Sequence, residues 1–175
     1  MGFDKLIKAR KSVRKFKDKK PDWRKIIEAI DSARYAPSAG ANYALKFILI
    51  SEKEKIHEIA EYCNQPFISQ VEYLVIVCSN PERTINLFGE KGKIYVRQQA
   101  GAAIQNFLLK LTEIGLSTCW VGLFDENKIK STFKIPEKVQ IEAIFPIGHS
   151  AEETNLKNKN ELDNILYFEN YGNKQ

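Results

Sequence analysis

The chain reads Arg10-Lys11-Ser12-Val13-Arg14-Lys15-Phe16 near its start, a run of four cations around one hydroxyl group. Arg10 and Arg14 lie four residues apart and would share a face of a helix, with Ser12 closing the gap if the helix ends there. Arginine suits a phosphate monoester because it offers charge-assisted, bidentate donors that do not titrate near neutrality. The run therefore predicts an anion-binding site; the alternative interpretation is a solvated amphipathic first helix.

Helical and extended patterns alternate outward from this run and predict a mixture of helices and strands. Helices are predicted over Phe3 to Ala9, Trp23 to Tyr35, a segment opened by a capping box of Ser51 and Glu54, Ile94 to Ile114, and a short segment capped by Asp125. Strands are predicted over Lys46 to Ile50, Glu72 to Cys78, Thr118 to Leu123 and Val139 to Phe145. Residues 80–92 are turn-rich and give no clear element.

Length and composition set the outer bounds on the protein's class. A chain of 175 residues with 43% hydrophobic and 28% charged residues predicts one soluble globular domain over residues 1–175. Its apolar runs are too short to cross a bilayer and its start lacks a signal region, so we expect a cytoplasmic protein without a membrane partner. The net charge of +5 comes largely from the first 25 residues, yet that stretch has no nucleic-acid recognition motif. Nucleic-acid binding is kept only as an alternative.

The cysteines and histidines predict neither a disulfide framework nor a metal site. Cys63, Cys78 and Cys119 are widely separated and odd in number, so we expect reduced, buried, structural thiols. His57 and His149 have no second ligand at metal spacing. The chain also lacks a P-loop, a dinucleotide fingerprint and a recognisable catalytic set, which suits a bound organic cofactor that carries out the chemistry.

Six short motifs follow one another along the chain: residues 10–16, Ala36-Pro37-Ser38-Ala39-Gly40, Gln105-Asn106, Gly115-Leu116-Ser117-Thr118-Cys119-Trp120-Val121-Gly122, Ile135-Pro136-Glu137 and Pro146-Ile147-Gly148-His149. In order and spacing they resemble the motifs of the FMN-dependent nitroreductase family. The resemblance covers almost the whole chain. It implies an α+β sandwich with a mostly antiparallel central sheet flanked by helices, in an interlocked homodimer with FMN at the interface.

The resemblance also implies which residues hold FMN. Arg10 and Ser12 belong with the phosphate and ribityl chain, Arg14 with the pyrimidine side of the ring, and the backbone near Gly122 with the flavin N5. The loop after the second helix comes from the other subunit, and a late basic residue reaches the phosphate. The implied cofactor-binding residues are Arg10, Lys11, Ser12, Arg14, Pro37, Ser38, Ala39, Gly40, Asn42, Gln105, Val121, Gly122, Leu123, Lys157 and Lys159.

The implied reaction is a ping-pong hydride transfer from NAD(P)H through FMN to a small electron-poor acceptor, such as a nitroaromatic compound or a quinone. No side-chain base is required for the first half, because the flavin accepts the hydride. The alternatives are a flavin-binding module without turnover, and a reductive dehalogenase or flavin-fragmenting enzyme on the same scaffold.

Two departures from the family pattern leave substrate preference open. Asn42-Tyr43-Ala44-Leu45 stands where the family continues with Asn-x-Gln-Pro-Trp, and Gln99 replaces an acidic residue. The segment from Asn80 to Tyr95 is also short where larger members insert helices over the active site.

Overall fold

The computed structural model describes residues 1–152 and 159–174. In this part of the chain the α-helices are Phe3–Ala9 (α1), Trp23–Ala33 (α2), Lys53–Tyr62 (α3), Glu82–Phe88 (α4), Lys91–Glu113 (α5) and Glu126–Phe133 (α6). The strands are Leu45–Ile50 (β1), Tyr73–Ser79 (β2), Ser117–Thr118 (β3) and Gln140–Gly148 (β4). Short 3-10 turns occupy Ala39–Ala41, Pro66–Gln70 and Leu162–Asn164.

The four strands form one antiparallel sheet in the order β1-β2-β4-β3. Every residue of β2 is buried, as its nearly continuous apolar sequence predicts for an interior strand. The strand pairs with β1 on one side and with β4 on the other. The sequence-based prediction of an α+β protein with a mostly antiparallel central sheet is confirmed.

Helices cover both faces of this sheet, and successive side chains of β2 point alternately into the two cores that these helices form. Tyr73, Val75 and Val77 point into one apolar cluster, which also contains core residues of α2 and α5. Leu74 and Ile76 point into a second cluster, which contains core residues of α3 and α6. The molecule is therefore a sandwich of helices, sheet and helices, with a separate core on each side of the sheet.

Local sequence signals explain where several helices begin and end. Asp22 caps α2 by accepting a hydrogen bond from the Arg24 N–H at 3.0 Å, and Asp125 caps α6 in the same way from Lys128 at 3.2 Å. Gly115 follows α5 with a φ of 76°, a left-handed conformation that suits glycine at a helix end. The long helix α5 thus stops where its sequence predicts.

Three sequence-based predictions of local structure are wrong. Residues 80–92 contain the helix α4 and the first residues of α5, because Asn80 and the neighbouring turn start a helix that lacks a long periodic pattern. Glu52 stands at the N-cap of α3 and its side chain makes no capping hydrogen bond, so the predicted capping box of Ser51 and Glu54 does not form. The predicted strand from Thr118 to Leu123 is reduced to β3 and one bridge at Val121, because the chain turns outward there.

Within the described residues, none of the helices combines the length and the apolar character that a membrane span needs. All three cysteines are free and buried, as predicted. Burial raises the pKa of the Cys63 thiol to about 12 and that of Cys78 to about 11, so both are poor nucleophiles.

Candidate functional site

The cationic run lies in an extended segment at the edge of the sheet, and not on a helix. Helix α1 ends at Ala9, and Arg10 already has extended backbone angles. The Val13 N–H donates to the Thr118 carbonyl at 3.0 Å, and Ser12 pairs with Thr118 in parallel. The predicted helical spacing is wrong here. Residues 10, 12 and 14 nevertheless share a face, because every second side chain of an extended segment points the same way.

Burial of Val13 fixes which face that is. The Val13 side chain is completely buried, whereas Ser12 and Arg14 are exposed. The chain that follows β4 also holds the segment, since Glu152 Oε1 accepts hydrogen bonds from the N–H groups of Arg14 at 2.6 Å and Lys15 at 3.1 Å. The hydroxyl and the guanidinium therefore project from a backbone that is tied down along both edges.

The segment from Cys119 to Leu123 lies beside these exposed side chains. Burial raises the pKa of the Cys119 thiol, and the positive charge of Arg14 and a hydrogen bond with Ser12 offset part of that rise. Both groups are thus neighbours of residue 119. The Trp120 ring packs edge-on against Phe145 with a centroid distance of 5.5 Å.

Gly122 and Leu123 present their backbone to solvent next to that tryptophan. Val121 is buried and exchanges two 3.0 Å hydrogen bonds with Ile144, while Gly122 is exposed and Leu123 is 78% exposed. A Cβ atom added at Gly122 would meet only the Trp120 indole, at 3.7 Å. A flat ligand can therefore approach the peptide groups of residues 121–123 closely.

A cationic cavity of about 290 Å³ opens beside Arg10. Lys11, Lys17 and His149 also line it. Burial lowers the pKa of the His149 imidazole, and the positive charge of Lys19 lowers it further. A cavity in which cations already oppose the protonation of a histidine is one that favours an anion.

Thr118 also lines this cavity and carries a buried polar atom without a partner. The residue is 95% buried, being 5% exposed, and its Oγ1 finds no hydrogen-bond partner among the described residues. A buried hydroxyl without a partner costs roughly 1–3 kcal/mol unless a ligand or water satisfies it. The cations, this hydroxyl and the open backbone at Gly122 together fit a ligand with an anionic end and a flat polar ring.

The loop that was predicted to contact the same ligand lies far away in this chain. Gly40 adopts a left-handed φ of 59°, and a Cβ there would come within 3.2 Å of the Phe88 ring. Asn42 is buried and donates through Nδ2 to Thr84 Oγ1 at 2.7 Å. Pro37 is exposed, while Ser38 and Ala39 are partly buried.

Gln99 on α5 holds this loop in place. Its Oε1 accepts a hydrogen bond from the Ala44 N–H at 3.0 Å, and its Nε2 donates to the Asn42 carbonyl at 3.2 Å. At 1.5 Å per residue, α5 runs about 21 Å from Gln99 to its last residue, beyond which lie Gly115 and β3. The loop therefore packs beside the N-terminal half of the long helix, whereas the cationic segment lies beyond its C-terminal end.

The remaining predicted residues fall between or outside these two groups. Gln105 is exposed near the middle of α5, and its neighbour Asn106 donates to the Ser32 carbonyl at 3.4 Å. Lys159 is exposed. Lys157 lies outside the described residues.

Sequence reasoning missed four residues that shape the site: Lys17, Thr118, His149 and Glu152. Lys17 and His149 meet only because their backbones pair, with Lys17 N–H donating to the His149 carbonyl at 2.8 Å. Thr118 and His149 belong to two of the six sequence motifs, but the motifs do not show that they contact the cationic run. That contact depends on strand pairing. The sequence around Glu152 contains no motif or periodic pattern that indicates a role at this site.

The sequence model of the nitroreductase family, described as "Nitroreductase family", matches residues 7–86 and 59–149. The two matches together cover most of the chain. This chain belongs to the nitroreductase family. The expected family assignment is confirmed, and the protein is a nitroreductase-family oxidoreductase.

Three known proteins show what this nitroreductase-family chain is similar to in sequence and in fold. A putative NADH dehydrogenase/NAD(P)H nitroreductase of Methanothermobacter thermautotrophicus is 29% identical over 166 residues, which are 91% of this chain and 83% of that protein. The iodotyrosine deiodinase of Thermotoga neapolitana is 24% identical over 183 residues, with 90% and 93% covered. The structure of an FMN-dependent nitroreductase from Clostridium difficile superposes with a TM-score of 0.80 at 24% identity, covering 95% of this chain and 98% of that one, and shares the fold.

Proposed function

We propose that this protein is an FMN-dependent oxidoreductase, in which NAD(P)H is the reductant and a small electron-poor molecule, such as a nitroaromatic compound or a quinone, is the acceptor. The observation that supports this most strongly is the shared location of three features. The cationic cavity beside Arg10, the exposed Ser12 and Arg14, and the open backbone at Gly122 all lie at one edge of the sheet. We propose that the whole chain, residues 1–175, is one FMN-binding domain.

The residues of the site match the two ends of FMN. Arg10, Lys11 and Ser12 would hold the phosphate and the ribityl chain, and the unpartnered Thr118 hydroxyl offers one more donor nearby. Lys159, and Lys157 outside the described residues, would add positive charge to the phosphate. Val121, Gly122 and Leu123 would present peptide groups to the flavin ring.

FMN, when bound, supplies the redox chemistry by accepting a hydride and passing electrons on. The protein then has two tasks that its own residues can perform. Arg14 would place a fixed positive charge near the part of the flavin ring that gains negative charge on reduction, which would favour the reduced form as an oxyanion hole favours an oxyanion. The Trp120 indole lies beside Gly122 and would bound the space for the flavin ring there. No general base is needed for the first half-reaction.

The separation of the two groups of site residues supports a homodimer. Pro37, Ser38, Ala39, Gly40 and Asn42 belong to the loop held at Gln99, which lies about 21 Å along α5 from the end of the helix nearest the cationic segment of the same chain. In a two-fold dimer the loop of one copy can reach the cationic segment of the other, so that each of two equivalent sites takes residues from both chains. Gln105, exposed on α5 between the two groups, would then face this interface.

Reductive dehalogenation is the second candidate function, because a relative named as an iodotyrosine deiodinase aligns with 90% of the chain. A flavin-binding module without turnover is the third candidate. Its basis is Tyr43-Ala44-Leu45, which replaces the family's Gln-Pro-Trp and would close the nicotinamide site.

An absorbance spectrum of the purified protein, before and after anaerobic addition of NADPH and then NADH, tests the proposal. We expect flavin bands that bleach with one of the two reductants and return when a nitroaromatic compound or a quinone is added. Bands that persist would indicate a binding module or another reductant. Bleaching followed by transfer only to an iodinated phenol would favour dehalogenation, and the absence of bands after reconstitution with FMN would overturn the proposal.

A further inference from the structure

The extended segment that carries the cationic run changes its pairing partner halfway along. The Val13 N–H donates to the Thr118 carbonyl at 3.0 Å, so the first half of the segment pairs with β3. The Lys17 N–H donates to the His149 carbonyl at 2.8 Å, so the second half pairs with the chain that follows β4. Arg14 lies where the one partner gives way to the other.

One carboxylate holds the backbone at this change of partner. Glu152 Oε1 accepts hydrogen bonds from the Arg14 N–H at 2.6 Å and from the Lys15 N–H at 3.1 Å. In a regular extended segment, successive N–H groups point in opposite directions and cannot meet at one acceptor. The backbone therefore bends between Arg14 and Lys15. Its two N–H groups form a small concave site for an anion, which the Glu152 side chain occupies.

The Glu152 side chain starts from a turn that is itself fixed. Ser150 Oγ accepts a hydrogen bond from the Glu152 N–H at 3.1 Å and donates to the Glu152 carbonyl at 3.3 Å. The Ala151 N–H donates to the Lys15 carbonyl at 2.9 Å, so the turn is also bonded to the segment that it holds. The position of the carboxylate is thus set by the same backbone pairing that brings the two stretches together.

The contact leaves the Arg14 guanidinium available for a ligand. Arg14 is exposed, and within residues 1–152 and 159–174 its guanidinium forms no ion pair with a carboxylate. Burial raises the pKa of the Cys119 thiol, the charge of Arg14 lowers it, and the charge of Glu152 raises it. Both charged groups therefore lie near residue 119, and the carboxylate bonds to the peptide groups of the segment.

We infer that Glu152 is the positioning residue for Arg14. By holding the N–H groups of Arg14 and Lys15 in one direction, it fixes the backbone from which the guanidinium reaches toward the flavin ring. A long side chain that starts from a fixed backbone is better preorganised than one that starts from a mobile backbone. A preorganised cation stabilises the reduced flavin more strongly than a mobile one.

The inference rests on the proposed function, and it assigns a role to a residue that does not contact FMN in that proposal. Glu152 acts through Arg14, so its effect on the flavin should disappear when Arg14 is absent. A role in folding alone would not couple the two residues in this way. A double-mutant cycle measures such coupling directly.

The midpoint potential of bound FMN, measured anaerobically, tests the inference. Arg14→Ala is introduced into the unsubstituted chain and into chains that carry Glu152→Gln, Glu152→Ala or Gln70→Ala. Glutamine keeps an acceptor oxygen for the two N–H groups, whereas alanine removes it. Gln70→Ala is the matched control, because Gln70 Oε1 accepts a hydrogen bond from the Phe16 N–H at 3.1 Å in the same segment. Comparison within each chain cancels any direct effect of the Glu152 charge on the ring.

We expect Arg14→Ala to lower the potential in the unsubstituted, Glu152→Gln and Gln70→Ala chains, because loss of the cation disfavours the reduced flavin. In the Glu152→Ala chain the same substitution should lower the potential by less than about half as much, since the guanidinium is no longer held near the ring. An equal shift in all of these chains would overturn the inference. So would the absence of a shift in the unsubstituted chain.

Amide hydrogen exchange of the apoprotein adds a measurement that does not need the flavin. The hydrogen bonds to Glu152 are exposed, so water can replace them and Glu152→Ala should still fold. Exchange at Arg14 and Lys15 should accelerate roughly ten- to a hundred-fold in Glu152→Ala and stay nearly unchanged in Glu152→Gln. Unchanged exchange in Glu152→Ala would overturn the inference.

The same samples separate this inference from the proposed function. An unsubstituted chain that binds no FMN would overturn both. Bound FMN whose potential shifts equally in every chain would overturn the positioning role of Glu152 alone and leave the proposed function standing.

Discussion

At the scale of single residues, Val13 decides where the charges of the N-terminal run point. Its side chain is completely buried at the centre of an extended segment, so the neighbours on either side of it must face the opposite way. A hydrophobic residue thus orients Ser12 and Arg14 toward one ligand. The sequence alone predicted the anion site but assigned it helical geometry, because strand pairing with Thr118 cannot be read from residues 10–16.

Arg10→Ala tests the phosphate assignment. The substitution removes a charge-assisted contact worth roughly 1.5–3 kcal/mol, so the dissociation constant of FMN should rise about ten- to a hundred-fold. Fluorescence titration of the apoprotein with FMN measures it. Arg24→Ala, which removes an exposed arginine at the start of α2, serves as the control and should leave the affinity unchanged. Equal affinity in both variants would contradict the assignment of Arg10.

Gly122→Ala separates ligand binding from folding. A Cβ at this position makes an ordinary contact of 3.7 Å with Trp120, and Gly122 does not have a positive φ. The free energy of unfolding of the apoprotein should therefore stay within about 0.5 kcal/mol of the value for the unsubstituted chain, as expected for a surface change. If the flavin ring lies against this backbone, the methyl group should weaken FMN binding. Unchanged FMN affinity would place the ring elsewhere.

His149 predicts a pH dependence of stability. Burial and the charges of Lys19, Lys17 and Lys25 lower its pKa in the folded chain, so the unfolded chain binds the proton more readily. Its contribution to stability is thus present above the ordinary histidine pKa of about 6.5 and is lost as the pH falls through the lower folded value. Thermal unfolding between pH 8 and 5 should show a smaller loss for His149→Gln. Parallel curves for the two proteins would rule out this role.

At the scale of elements, α5 connects the two ends of the site and holds the loop before β1. The sequence located this helix because its apolar side chains recur at three and four residue spacing. The structure moves its start only from Ile94 to Lys91. The sequence also located the starts of α2 and α6 through Asp22 and Asp125, because a capping side chain bonds to a backbone N–H group only a few residues away. It missed α4, a seven-residue helix that depends on packing against α5 more than on its own pattern.

Gln99→Ala tests the connection between α5 and the loop. The substitution leaves the buried Ala44 N–H and the Asn42 carbonyl without their partner, which costs about 1–3 kcal/mol of unfolding free energy. Urea unfolding measures the loss, and Gln98→Ala, at the exposed neighbouring position, is the matched control. Two equally stable variants would show that the loop does not depend on Gln99.

At the scale of the whole molecule, the proposed site is divided between two ends of the fold. Co-expression of two defective chains tests whether two copies complete it. One chain carries Arg10→Ala with Arg14→Ala, and the other carries Gly40→Val, which forces a β-branched residue into a left-handed conformation beside Phe88. In a mixed dimer one site receives both defects and the other receives neither.

Equal amounts of the two chains should therefore restore about one quarter of the intact FMN sites, because half of the dimers are mixed and each has one intact site. Flavin bleaching by NAD(P)H counts them, and each variant expressed alone sets the baseline. Recovery no greater than the sum of the two baselines would mean that each site is built within one chain.

The sequence by itself determined the mixture of helices and strands, the interior strand β2, the long helix and the cationic character of residues 10–16. These depend on hydrophobic period, capping residues and side-chain type, all of which act over a few neighbouring positions. Only the tertiary structure decided that residues 10–16 are extended, that Lys17, Thr118 and His149 join Arg10, and that the loop at Gly40 lies beside the N-terminal half of α5. Strand pairing and helix packing join residues more than a hundred positions apart in the sequence, as with Glu152 and Arg14, and no local pattern encodes such contacts.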